Sequence, residues 1–142
     1  MLKGIDPLLG PNLLAFLRGM GHGDEIVLAD ANFPASDLAR RLERADGIDA
    51  VRMLRAIISV LPLDDFVPKA VFRMAVVGKP DEQPEIAHAF EKVLAESGYR
   101  NGIAALERQA FYDRAKTAYA IVATGERRLY GNLILKKGVI RP

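Results

Sequence analysis

The sequence predicts an α/β fold: a single compact layered domain with a central mostly parallel or mixed sheet flanked by helices. Three observations carry this. Short apolar runs, Ile26-Val27-Leu28-Ala29 foremost, have the length and composition of buried strands. Segments with apolar residues at helical spacing separate them, so strands alternate with helices. At 142 residues, half of them hydrophobic, the chain can fill one core and has little room for two. No repeat, low-complexity stretch or linker divides it, so residues 1–142 form one expected domain.

The elements follow in order. Pro11 and Asn12 open a helix to about Arg18, because the first turn leaves its N–H groups unpaired and tolerates proline. Leu13, Leu14, Phe16 and Leu17 give it an apolar face, and Gly19 and Gly21 stop it. A strand covers Glu25–Ala29. Asn32 to Ser36 is a loop with a short helical turn after Ser36, and Arg41–Ala45 is a second strand. Asp49 caps a helix on which Val51, Leu54, Ile57, Ile58 and Leu61 share a face, and Pro62 ends it. Leu63–Pro68 is loop, Val71–Val77 strand, and Gly78-Lys79-Pro80 a turn. Glu85–Ser97 is amphipathic, with Ile86, Phe90, Val93 and Leu94 on one side and Gly98 as its stop. Ile103–Leu106 is a short strand, Gln109–Thr117 a helix, Tyr119–Thr124 a buried strand, Gly125–Arg128 a turn, and Tyr130–Lys136 the last strand. A sheet of such short strands has exposed edges, which favours an oligomer that covers them.

Composition removes several classes of function. With no cysteine there is no disulfide and no cysteine-ligated zinc or iron–sulfur centre, which fits a reducing, cytoplasmic location. The N-terminus lacks the apolar core of a signal peptide, and no run approaches the ~20 apolar residues of a membrane span. The isoelectric point is about 9.0, yet 20 basic residues face 18 acidic ones. The densest basic pairs, Arg40-Arg41, Arg127-Arg128 and Lys136-Lys137, lack interleaved aromatics, so nucleic acid is not an expected partner. There is no P-loop, no dinucleotide fingerprint, no nucleophile elbow and no paired-histidine metal spacing. No metal and no cofactor are expected.

Six residues remain as candidates for chemistry. His22 lies between two glycines in Gly21-His22-Gly23-Asp24-Glu25, directly before the first strand. Its unperturbed pKa near ~6.5 suits a general acid/base, with a fixed carboxylate expected nearby; the alternative is a turn histidine whose ring caps a helix end. Asp30 ends the strand, where open α/β sheets place their ligands. It accepts two sugar hydroxyls, or orients a proton donor, or caps the following turn. Arg108 offers a fork of donors, or is a solvated residue at a helix start. Tyr130, Gly131 and Asn132 combine a phenol, a site of close backbone approach and an amide, or form an ordinary hairpin. His88 has solvent-facing neighbours and is expected on the surface.

Several segments together resemble the L-fucose mutarotase family, related to D-ribose pyranase. They are Met20-Gly21-His22-Gly23-Asp24-Glu25-Ile26-Val27, Asp30-Ala31-Asn32-Phe33-Pro34-Ala35, Arg44-Ala45-Asp46-Gly47, Ala110-Phe111-Tyr112, Thr124-Gly125-Glu126 and Tyr130 through Val139. The likeness runs nearly end to end, with few motif residues between Leu61 and Ser97. It implies a compact α/β sandwich assembled as rings, commonly homodecamers of stacked pentamers with sites at subunit contacts. It also implies an isomerase that interconverts the anomers of a free monosaccharide without a cofactor. His22 is then the catalytic proton donor, and Asp30, Arg108, Tyr130, Gly131 and Asn132 bind the sugar. The Asn32-Phe33-Pro34-Ala35 loop is more similar to the fucose branch than to the ribose branch. Pyranose–furanose interconversion of D-ribose, a non-catalytic monosaccharide-binding module and a structural ring protein are the competing expectations.

Overall fold

A computed structural model describes residues 1–142, which form five helices and six strands. In chain order these are α1 (Pro11–Gly19), β1 (Glu25–Ala29), α2 (Ala35–Leu38), β2 (Leu42–Ala45), α3 (Ala50–Ile58), β3 (Val71–Met74), α4 (Glu85–Glu96), β4 (Ala104–Leu106), α5 (Arg108–Thr117), β5 (Ala120–Thr124) and β6 (Leu133–Lys136). The strands make one sheet in the order β2-β5-β1-β6-β3-β4. β1 runs parallel to β5, β5 to β2 and β3 to β4, while β6 runs antiparallel to both its neighbours, β1 and β3. The expected mixed sheet is therefore present, and a single strand makes it mixed.

Strand alternation sorts side chains onto two faces. Ile26, Leu28, Val122, Leu133 and Leu135 join Leu13, Met53, Leu54 and Phe90 in a buried layer under α1, α3 and α4. Val27, Ala29, Ile121 and Ile134 join Phe111 and Ala115 in a smaller layer under α2 and α5. Both edge strands, β2 and β4, have four residues or fewer, which limits the unpaired backbone they expose. No helix is long and apolar enough to cross a membrane.

Local signals account for most boundaries. Asp49 caps α3 by accepting the Arg52 N–H at 2.9 Å. Glu107 caps α5, accepting from Gln109 N and Ala110 N, so that helix starts at Arg108, one residue earlier than expected. The short helical turn likewise starts at Ala35 rather than after Ser36. Every strand but β1 is shorter than predicted, β2, β4 and β5 by one residue each and β3 and β6 by three. β3 stops at Met74 because the Val77 N–H is donated to the Tyr130 hydroxyl and Val76 turns back to bridge Lys79. β6 begins at Leu133, not Tyr130, because Tyr130 has φ +61°, a left-handed conformation no strand contains.

Candidate functional site

The first half of the site stands at the carboxyl end of β1. Asp30 directly follows the last residue of that strand and is buried. Its Oδ2 accepts from Asn132 Nδ2 at 3.0 Å, and Asn132 Oδ1 accepts the Asp30 N–H at 2.7 Å. The Asn132 amide thus grips both the side chain and the backbone of a residue 102 positions away. Asn132 immediately precedes β6, and the antiparallel pairing of β6 with β1 brings it there. Asp30 Oδ1 accepts the Asn32 N–H at 2.9 Å. Burial pushes the Asp30 carboxyl above its ordinary range, while the backbone N–H of Asn32, the Asn132 amide and further backbone donors pull the other way. The Asn132 and Asn32 bonds each use one position on one carboxylate oxygen, out of roughly four on the group.

Beside this pair is a cavity of about 190 Å³ with Asp30, Asn32, Phe33, Arg108, Tyr130 and Asn132 in its walls. That is below the ~300 Å³ at which drug-sized pockets begin, which suits a small ligand. The Tyr130 oxygen accepts the Val77 N–H at 3.1 Å, which leaves its own O–H free to donate. Gly131 has no room for a side chain: a Cβ there would lie 2.7 Å from Glu126 Cγ and 3.3 Å from Asp30 Cβ. Arg108 opens α5 at the cavity wall, is exposed, and has no ion-pair partner in the chain. The structure brings together five of the six expected residues.

The sixth is elsewhere. His22 lies in the loop before β1, and the length of that strand, about 17 Å of extended chain, separates its loop from Asp30. The carboxylate beside the imidazole is Asp64, with His22 Nε2 and Asp64 Oδ1 3.1 Å apart. The carboxylate expected beside the histidine is Asp30; the structure puts Asp64 there instead, because Asp30 stands at the far end of β1. Asp64 is 3% exposed and also accepts the Phe66 N–H at 3.1 Å, while the His22 side chain is 45% exposed. Burial raises the Asp64 carboxyl, but the Phe66 N–H, the His22 ring and the charge of Lys136 outweigh it, and its pKa falls below the ordinary value. The His22 ring also packs against Phe66, with centroids 5.2 Å apart. Its loop is tied to the end of β6 by Gly23 N to Lys137 O and Lys137 N to Asp24 O, both 2.8 Å. Gly23 takes φ +84°, the backbone reason for the second glycine of the motif.

Asp64 and Phe66 are absent from the sequence expectations. They fall in a segment read as loop, 42 residues from His22, and no helical or strand spacing links such positions. The acidic pair Asp64-Asp65 inside an apolar loop is the one trace of them. His88 is on the surface of α4 as expected, 3.8 Å from Glu91. No group of three or more His, Cys, Asp or Glu side chains is placed to hold a metal ion.

Known proteins share this architecture along the whole chain. Residues 3–140 match the model of the RbsD / FucU transport protein family. The fucose mutarotase of Homo sapiens is 48% identical over 145 residues, covering 98% of this chain and 94% of its own. The crystal structure of the fucose mutarotase from Streptococcus pneumoniae in complex with L-fucose is similar at a TM-score of 0.93 and 45% identity, covering 99% of this chain and 100% of that one. The structure of Bacillus subtilis RbsD complexed with D-ribose is similar at a TM-score of 0.75 and 25% identity, covering 99% and 100%. With its fold, its end-to-end match and these identities taken together, the chain belongs to the RbsD/FucU family.

Proposed function

We propose that residues 1–142 form one mutarotase unit, an isomerase that interconverts the α and β anomers of a free monosaccharide, L-fucose first, without a cofactor. One observation carries it: the buried, mutually bonded Asp30–Asn132 pair opens into a small cavity that also holds Tyr130 and Arg108. The fucose mutarotases support the choice of reaction and sugar, at 45% identity for the L-fucose complex against 25% for the D-ribose complex. The latter keeps pyranose–furanose interconversion of D-ribose as the second reading.

In the reaction the anomeric O–H loses a proton and the ring oxygen gains one. The bond between C1 and the ring oxygen breaks, leaving an open-chain aldehyde. Rotation about C1–C2 and the reverse proton moves then close the other anomer. His22 is the proton donor, since imidazole both gives and takes a proton near neutral pH. Asp64 orients its ring through Nε2. The free O–H of Tyr130 serves the second oxygen or binds it. Asp30, Arg108 and Asn132 hold the hydroxyls that do not react.

Because His22 and Asp30 stand at opposite ends of β1, a second copy must supply the histidine. Exposed apolar side chains support such a contact at both ends. Phe66 lies against His22, while Val77 and Leu129 line the cavity. Docking the Phe66 end of one copy onto the Val77–Leu129 mouth of the next is a head-to-tail contact, the kind that closes into rings. A cytoplasmic homodecamer is the assembled form in this reading.

The test is magnetisation-exchange proton NMR on L-fucose at equilibrium, with and without catalytic protein, repeated with D-ribose. Faster transfer between the anomeric signals of L-fucose than of D-ribose is the expected result. Faster transfer with D-ribose would select the second reading. Sugar binding without transfer would leave a binding module, and neither binding nor transfer would leave a structural ring.

A further inference from the structure

One segment of the chain is unused by the reaction just described and yet braces the backbone on both sides of Asp30. Thr124, Gly125 and Glu126 end β5 and follow it. Thr124 Oγ1 donates to the Ala29 carbonyl at 2.8 Å, and the Glu126 carbonyl accepts the Ala31 N–H at 2.9 Å. These two bonds grip the backbone on both sides of Asp30. The Glu126 side chain then turns inward and is 3% exposed. Its Oε1 accepts Arg128 N at 3.0 Å and Arg128 Nε at 2.9 Å, and its Oε2 accepts Arg128 Nη2 at 2.9 Å. Oε2 also accepts the N–H of Ala50, the first residue of α3, at 3.3 Å. Its methylene lies where Gly131 must lack a Cβ, and the Asp30 Cβ lies within reach of the same point.

We infer that Glu126 is a positioning residue for the sugar site: its carboxylate fastens the turn after β5 to the start of α3 and thereby sets where Asp30 and Tyr130 stand. This rests on the reading of the cavity as the sugar site.

Two physical considerations lead there. Tyr130 at φ +61° is a bulky residue in the left-handed region, a conformation that persists only where its surroundings over-determine it. The turn carrying it starts at Glu126, and the carboxylate closes that turn with three bonds to Arg128. Secondly, a buried carboxylate is costly to desolvate and persists where directed hydrogen bonds compensate it. This one accepts the Arg128 N–H in the turn that leads to Tyr130 and the Ala50 N–H at the start of α3, with the Arg128 guanidinium on its remaining positions. The adjacent Arg128 guanidinium holds the carboxyl below its ordinary range despite burial, so it stays an anion at neutral pH.

The experiment is saturation kinetics of anomer exchange for Glu126→Gln, Glu126→Ala and Arg128→Ala beside the unaltered protein, with thermal unfolding of each. A positioning role raises the apparent KM at least roughly fivefold in Glu126→Ala, with kcat of the folded protein within about twofold, and less in Glu126→Gln. A purely structural role lowers Tm and the active fraction while KM stays put, and that result overturns the inference. The half-exposed Arg128→Ala and the near-isosteric Glu126→Gln carry the test if Glu126→Ala fails to fold. If the unaltered protein exchanges no sugar, the proposed function fails. Positioning is then judged by the Tyr130 ring resonances of Glu126→Gln, which must shift for the inference to survive.

Discussion

The two ends of β1 are built on opposite principles. At the carboxyl end, Asp30 is buried and locked to Asn132 and Asn32 before any ligand arrives. At the amino end, His22 is nearly half exposed and held by one carboxylate and one aromatic face. The electrostatics differ in the same way: burial lifts the Asp30 carboxyl, while donors and a nearby cation draw down that of Asp64. One end is a socket whose acceptors are aimed in advance. The other is an imidazole left open to solvent on one side. The proposed division of one site between two copies would let a single five-residue strand carry both without their meeting.

The largest test breaks the histidine end alone. His22→Ala is expected to slow anomer exchange at least ~10²-fold with the assembly and sugar binding intact, checked by exchange NMR and sedimentation. Asp30→Ala is expected to abolish sugar binding instead. Reassembled together in equal amounts, these two inactive variants should recover about a quarter of full activity, because head-to-tail neighbours then pair an intact histidine with an intact socket at random. No recovery would place both residues' roles within one copy.

A smaller effect is expected at the socket's floor. Gly131→Ala puts a methyl group against Glu126 and Asp30, and overpacking of that kind lowers stability by about 1–3 kcal/mol. Denaturant unfolding measures the loss, and the sugar affinity of the folded variant should fall with it.

The smallest effect concerns pH and separates the two carboxylates. Asp64, lowered in the folded chain, contributes stability that is present above its unfolded pKa of ~3.9 and is lost as pH falls through the folded value. Asp30, raised in the folded chain, acts with the opposite sign: its contribution is complete below ~3.9 and fades as pH rises through the folded value. Asp64→Asn should therefore show a flatter acid arm in Tm between about pH 2 and 5 than the unaltered protein. An unchanged acid arm would show that the His22–Asp64 pair contributes nothing to it.

The sequence made the socket legible and left its geometry hidden. Asp30 could be placed because the apolar run before it is a strand by composition alone, and strand ends are where such sheets bind ligands. The helices were legible from caps and spacing, as with Asp49 and α3. Three things depend on distant chain and had no local signal. The antiparallel insertion of β6 between β1 and β3 is a matter of topology, which periodicity does not encode. The left-handed turn at Tyr130 overrides a run that otherwise reads as strand up to Lys136. The pairing of His22 with Asp64 joins two loops whose meeting is decided only when the sheet is assembled.

The place of β6 has a consequence for how the protein is made. Residues 133–136 lie near the end of the chain, yet they form a central strand that joins β1 on one side and β3 on the other. During synthesis, every earlier strand emerges before the piece that unites them. Until then the sheet exists as two separable halves, each with an open apolar edge that invites aggregation. Asn132, which completes the socket, is delivered by the same late segment. The Asp30–Asn132 pair and the joining of the two halves of the sheet therefore arrive together.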